Sequence, residues 1–122
     1  MPGNNCFGIK SNAHGSGVQY KLTKEFVDGT WQTMKLAFNT YLTLTDCFTD
    51  HANLIVEGKP YQKCWQAYLG NKDLDSLITC VGARYGTDPG YASKILVEAH
   101  SVSLQEALAE ARALLPPPNL AA

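Results

Sequence analysis

Glu25 stands out among the residues whose types and spacing suit chemistry. It lies in a run of alternating apolar and polar residues, three positions before an Asp28-Gly29 dipeptide, with Thr23 and Gln32 as predicted polar neighbours. A strand held by a tight turn can fix such a carboxylate over a cleft for proton-transfer or charge-stabilising chemistry, although a solvated strand residue is the plainer reading. Cys47 and His51 are four apart on one helical face with Asp50 beside them, a spacing that offers two metal ligands to one ion. No second ligand pair accompanies them, and Phe48 and Ile55 share the stripe, so a core histidine fits better. Cys6 with His14 is the local pair for thiol chemistry. Tyr85, Thr87, Asp88 and Tyr91 gather at a predicted helix start, whose free N–H groups suit an anion or an acetamido oxygen, or simply a cap. Trp31, Trp65 and the six tyrosines are either core or flat platforms for sugar rings. Gly-rich phosphate loops, zinc-protease motifs and serine elbows do not occur in the sequence.

The elements that must position these residues follow from period. Val18, Tyr20, Leu22 and Phe26 form one alternating run, and Trp31, Met34, Leu36 and Phe38 a second with one phase slip. Asp28-Gly29 between them suits a two-residue turn that sets Val27 opposite Thr30 and Glu25 opposite Gln32. Lys10 to Gly17 reads as a loop leading in. Thereafter the period is helical. Thr43 and Asp46 are spaced as a capping box for a helix ended by Gly58, Lys59 and Pro60. Further helices are predicted near Gln62 to Leu69 and from about Asp73 to Tyr85, then from Thr87-Asp88-Pro89 with proline at the first helical position. A fifth is predicted to open at Ser103 and Glu106 and to stop at the prolines 116 to 118. A hairpin followed by four to five helices is an α+β arrangement.

Size and composition agree with one domain. In 122 residues, 45% are hydrophobic and 17% charged, a globular balance that excludes a disordered chain. A net charge of -1 supplies no long-range field toward nucleic acid or an anionic membrane. No run of residues approaches the length of a spanning helix, and the first ten lack the apolar core of a signal peptide. A chain of this length needs no staple, so Cys6, Cys47, Cys64 and Cys80 read as buried thiols, with one or two disulfides the alternative and metal ligation a third.

Together, Asn4-Asn5-Cys6-Phe7-Gly8-Ile9-Lys10, the hairpin Thr23-Lys24-Glu25-Phe26 with Gly29 and Trp31, Phe38-Asn39-Thr40-Tyr41, Asp50-His51-Ala52-Asn53-Leu54, and Tyr85-Gly86-Thr87-Asp88-Pro89-Gly90-Tyr91-Ala92 resemble the bacterial peptidoglycan glucosaminidases of glycoside hydrolase family 73. The resemblance covers about residues 4 to 97. It implies a lysozyme-like fold with the hairpin as a β-lobe facing helices across a glycan cleft, and acid-assisted attack at an anomeric carbon without metal or cofactor. By the same resemblance Glu25 assists water or stabilises the developing positive charge, Tyr85 lines the cleft at the cleaved sugar, and Tyr91, Asp50, Phe7 and Asn5 contact substrate. The implied partner is peptidoglycan or another N-acetylglucosamine-containing glycan, and the family is usually exported to the cell envelope. The family's general acid is a Glu on a helix preceding the Asn4 to Lys10 segment, and this sequence begins three residues before that segment. The expectation is therefore one partial domain over residues 1–122, N-terminally truncated and inactive by itself, with 103–115 a helical extension and 116–122 a tail. Three origins fit: a cut-short enzyme, a glycan-binding remnant, or a protein whose C-terminal helix brings Glu106 or Glu110 to the cleft. A non-catalytic or structural oligomer, its open cleft covered by a second copy, is the rival reading.

Overall fold

The computed structural model describes residues 1–115. Strands β1 (Gly17–Val27) and β2 (Thr30–Thr40) form an antiparallel hairpin, followed among the described residues by α1 (Leu44–Glu57), α2 (Gln62–Asn71), α3 (Leu74–Gly82), α4 (Tyr91–Ala99) and α5 (Val102–Leu114). The hairpin has the predicted register, Val27 opposite Thr30 and Glu25 opposite Gln32. Asp28 and Gly29 both take positive φ, 51° and 79°, which is the primed turn whose twist matches that of paired strands. The preceding loop does more than lead in. Its Ile9 carbonyl accepts from the Asn39 N–H at 3.0 Å, and the Ser11 N–H donates to the Ala37 carbonyl at 3.0 Å, so it covers the base of β2 as a partial third strand.

Helix α1 starts as predicted, Thr43 Oγ1 accepting from the Asp46 N–H at 3.1 Å. Three boundaries move, each for a local hydrogen-bonding reason. Helix α3 stops at Gly82 rather than Tyr85, where the Arg84 N–H tightens onto the Val81 carbonyl three residues back at 3.0 Å. Pro89 lies in a turn before α4: Asp88 Oδ1 accepts from the Gly90 N–H at 2.8 Å and its carbonyl from Tyr91 at 3.1 Å, delaying the helix. Helix α5 is capped by Ser101, two residues before the predicted Ser103, since Ser101 is extended and its Oγ takes the Leu104 N–H at 3.2 Å. The predicted stop at prolines 116 to 118 and the tail lie outside the described residues.

The core is small. Ile9, Tyr41 and Cys47 are buried together with Phe7 packed against them, joining the N-terminal segment, the hairpin base and α1. Cys64 and Cys80 are joined in a disulfide between α2 and α3, with 5.6 Å between their Cα atoms. This corrects the buried-thiol reading for Cys64 and Cys80, and the exposure of Cys6 corrects it for a third. The physical reason for the link is proximity: α2 and α3 pack so that the two Cα atoms come within bridging distance, which spacing along the sequence does not reveal. Cys47 is a buried thiol and Cys6 an exposed one.

Candidate active site

Glu25 is buried at 9% exposure although it lies on a two-stranded hairpin. Its carboxylate is held at both oxygens, Oε1 accepting from Thr23 Oγ1 at 3.0 Å and Oε2 from Thr87 Oγ1. Thr87 comes from the loop between α3 and α4, and its hydroxyl also accepts from the Phe26 N–H at 2.9 Å. The polarity of this chain is forced. A backbone N–H can only donate, so the Thr87 oxygen uses a lone pair there and directs its proton to Glu25. The outer edge of β1 is thereby closed by the Tyr85–Tyr91 segment, and the carboxylate is fixed by two elements far apart in sequence.

Beside it runs a band of aromatic rings. The Tyr85 ring lies 5.4 Å from Tyr91 and 6.0 Å from both Tyr61 and His51. Its hydroxyl donates to the Phe7 carbonyl at 2.8 Å. Phe7 in turn stacks on His51 at 3.8 Å and meets Phe48 edge-on at 5.2 Å. Burial, with Tyr91 and Tyr61 adding to it, holds the Tyr85 phenol well above the usual tyrosine range, so it stays a neutral donor. Burial pulls the His51 imidazole below its ordinary value of 6.5, against the opposing pull of Asp50.

Tyr85 thus packs on Tyr91 and binds the Phe7 backbone, and Thr87, two residues further on, binds Glu25. Asn5 and Asp50 sit differently. Asn5 is wholly internal, its Oδ1 accepting from the Ile9 N–H at 3.0 Å while its Nδ2 donates to the carbonyls of Ile9 and Asn39 at 3.0 and 2.9 Å. Asp50 accepts from the Tyr41 hydroxyl and, at 3.4 Å each, from the amides of Asn39 and Asn12. It borders a hollow of about 590 Å³ lined also by His14, Asn53 and Glu57, whose lining includes neither Glu25 nor Tyr85.

The remaining candidates are placed apart from this group. The exposed Cys6 has its backbone N–H on Cys47 Sγ at 3.4 Å and makes no hydrogen bond to His14. Asp88 closes the turn before α4, its Oδ1 accepting from the Gly90 N–H and its carboxylate meeting Lys94, while the N-cap itself is Gly90, without a side-chain cap bond. Glu106 and Glu110 are exposed on α5, which packs against α4. What sequence reasoning missed is the bond from Thr87 to Glu25. The signal was the threonine inside the Tyr85–Tyr91 run, but its partner lies 62 residues away.

A hairpin lobe carrying a buried carboxylate, followed by five helices among the described residues, defines a lysozyme-like domain. At the level of fold this is borne out by a peptidoglycan hydrolase mutant from Sphingomonas sp. A1, similar with a TM-score of 0.72 over 90% of this chain and 70% of that one, at 24% identity. The chain belongs to the glucosaminidase family, described as mannosyl-glycoprotein endo-beta-N-acetylglucosaminidase, which matches residues 1–103. It is 35% identical over 109 residues to the exo-glucosaminidase LytG of Bacillus subtilis, covering 84% of this chain and 37% of LytG. It is 31% identical over 97 residues to a probable N-acetylmuramidase of Lactococcus lactis subsp. cremoris, covering 75% of this chain and 21% of that protein. The chain thus spans only about a fifth to just over a third of these curated relatives.

Proposed function

We propose that this domain acts on the glycan of peptidoglycan, at the β-1,4 bonds of N-acetylglucosamine, with Glu25 as the carboxylate that assists water or stabilises positive charge at the anomeric carbon. The observation that carries the reading is the double restraint of the buried Glu25 carboxylate by Thr23 and Thr87. A preoriented carboxylate gains more interaction with an oxocarbenium-like transition state than with a neutral ground state, which is what lowers the barrier. Tyr85 and Tyr91 line the sugar-binding side in this reading, with Phe7 behind Tyr85. Asn5 acts as a positioning residue for the Phe7 loop, and Asp50 as one for the hairpin base.

Cleavage also requires that the leaving oxygen be protonated, a contribution of about 10²–10⁴ in rate from a positioned acid. Glu25 cannot supply both roles at once, and the other candidate acids are held elsewhere, Asp50 by Tyr41, Asn39 and Asn12, and Glu106 and Glu110 exposed on α5. That observation favours a second reading for the 122 residues alone, glycan binding with little or no cleavage. Reducing-sugar release from purified peptidoglycan, run beside cosedimentation with it, separates the two. Release that Glu25→Gln abolishes supports the hydrolase, and the reducing-end sugar of the product identifies the bond. Binding without release supports the module, and a chain that neither binds nor cleaves refutes both.

A further inference from the structure

Pairing across the hairpin sets Tyr20 with Ala37, Leu22 with Lys35, Lys24 with Thr33 and Phe26 with Trp31 on one side, while Glu25 and Gln32 share the other. On the side away from Glu25, Leu22 is 74% exposed and Trp31 53%. Trp31 is braced edge-on by Phe26 at 5.4 Å, so its indole is held in place rather than free to fold away. Beside it opens a hollow of about 430 Å³ lined by Lys24, Trp31, Gln32 and Thr33, within the usual range of about 300–1,000 Å³ for small-molecule sites. The Gln32 side chain lies on the Glu25 side, where its Nε2 donates to the Val27 carbonyl at 3.3 Å and to Thr30 Oγ1 at 3.4 Å, so Lys24, Trp31 and Thr33 are the side chains that face outward here. Among the described residues Lys24 pairs with no carboxylate.

We infer that this hollow is a second glycan-binding site, distinct from the Glu25 group, that takes an amino-sugar unit carrying a carboxylate. The indole stacks on the apolar face of the pyranose ring, Thr33 pairs with its hydroxyl or acetamido groups, and the Lys24 ammonium meets the carboxylate. A second copy of the chain is the less favourable occupant. The paired residues of this face include Lys24 and Lys35 and no acid, so a two-fold contact through it would bring like charges together. The inference rests on the glycan class proposed above but not on catalysis by Glu25.

The test uses two soluble probes, the neutral N-acetylglucosamine trimer and peptidoglycan strands stripped of their stem peptides, whose sugar-borne carboxylates are free. In a Trp65→Phe background the Trp31 emission reports on this face alone. Both probes should shift that emission saturably, and the shift should persist in Glu25→Gln, which separates this site from the catalytic group. Lys24→Gln should weaken the carboxylate-bearing strands severalfold and flatten their salt dependence while leaving the trimer unchanged. In cosedimentation with peptidoglycan, Trp31→Ala should lose about tenfold in affinity, with Trp31→Tyr restoring most of it because a ring is retained. An emission that no probe moves, or cosedimentation unchanged by Trp31→Ala, overturns the inference whether or not Glu25 proves catalytic. A concentration-dependent dimer in light scattering that Trp31→Ala dissolves also overturns it, in favour of a second copy.

Discussion

Thr87 joins Glu25 to the helical part of the molecule: its hydroxyl donates to Glu25 Oε2 while accepting the Phe26 N–H at 2.9 Å. One side chain thus satisfies an edge-strand donor and orients the carboxylate on the neighbouring residue.

Thr87→Val keeps the shape of the side chain but leaves the Phe26 N–H without its acceptor and Glu25 with one hydroxyl donor. A part-buried donor left unmade costs about 1–3 kcal/mol, so Val should lower unfolding stability by that amount. Thr87→Ser, which retains the hydroxyl, should recover at least half. Equal losses for Val and Ser in urea denaturation would mean that the hydrogen bond contributes nothing.

Gly82 marks a close approach of α3 and α4. A Cβ there would stand 2.6 Å from the Ala92 Cβ and 2.8 Å from its Cα. Alanine gains about 1 kcal/mol of helix propensity over glycine, but overpacking costs about 1–3 kcal/mol and involves backbone, so packing wins. Gly82→Ala should be net destabilising in thermal or chemical unfolding, and a stabilised variant would show that the two helices separate freely.

The Cys64–Cys80 disulfide closes a loop of sequence separation 16. Constraint of the unfolded chain by such a loop corresponds to about 3 kcal/mol. Reduction by a dithiol, or the double change Cys64→Ala with Cys80→Ala, should remove about that much. Chemical unfolding under oxidising and reducing conditions measures it, and coincident curves would argue that the link is not formed in solution.

His51 gives a pH dependence whose direction is fixed by burial. Its folded-state value lies below the ordinary 6.5, so as pH falls the unfolded chain takes up the proton first. The contribution is fully present above pH 6.5 and is lost as pH falls below it, toward the lower folded-state value. Replacing the imidazole by His51→Gln should remove this component of the acid-side slope. The check is urea stability at pH 7.5 and 5.5 for both proteins, and an identical slope in the variant would assign the effect elsewhere.

The hairpin illustrates how much was legible in the sequence. Its register follows from alternation and the Asp28-Gly29 turn, signals confined to neighbouring residues, and the cap at Thr43 is equally local. The cap at Ser101 and the turn that Asp88 makes before α4 were not legible, because several nearby residues compete for the same backbone donors and only the final chain path selects among them. The disulfide was illegible for another reason. Four cysteines allow several pairings, and spacing alone does not say which two helices meet.

By itself, then, the amino-acid order determined the α+β succession, the family to which the chain belongs, and the position of Glu25 on a stiff strand. The tertiary structure decided that this carboxylate is buried rather than solvated, that Thr87 is its partner, that Asn5 and Asp50 are bound up in internal hydrogen bonds, and that Trp31 is left facing outward. The division has a physical cause. Dihedral preferences, turn chemistry and caps act over a few residues, whereas burial and hydrogen-bond partnership depend on segments such as Glu25 and Thr87, 62 positions apart, that meet only when the chain is packed.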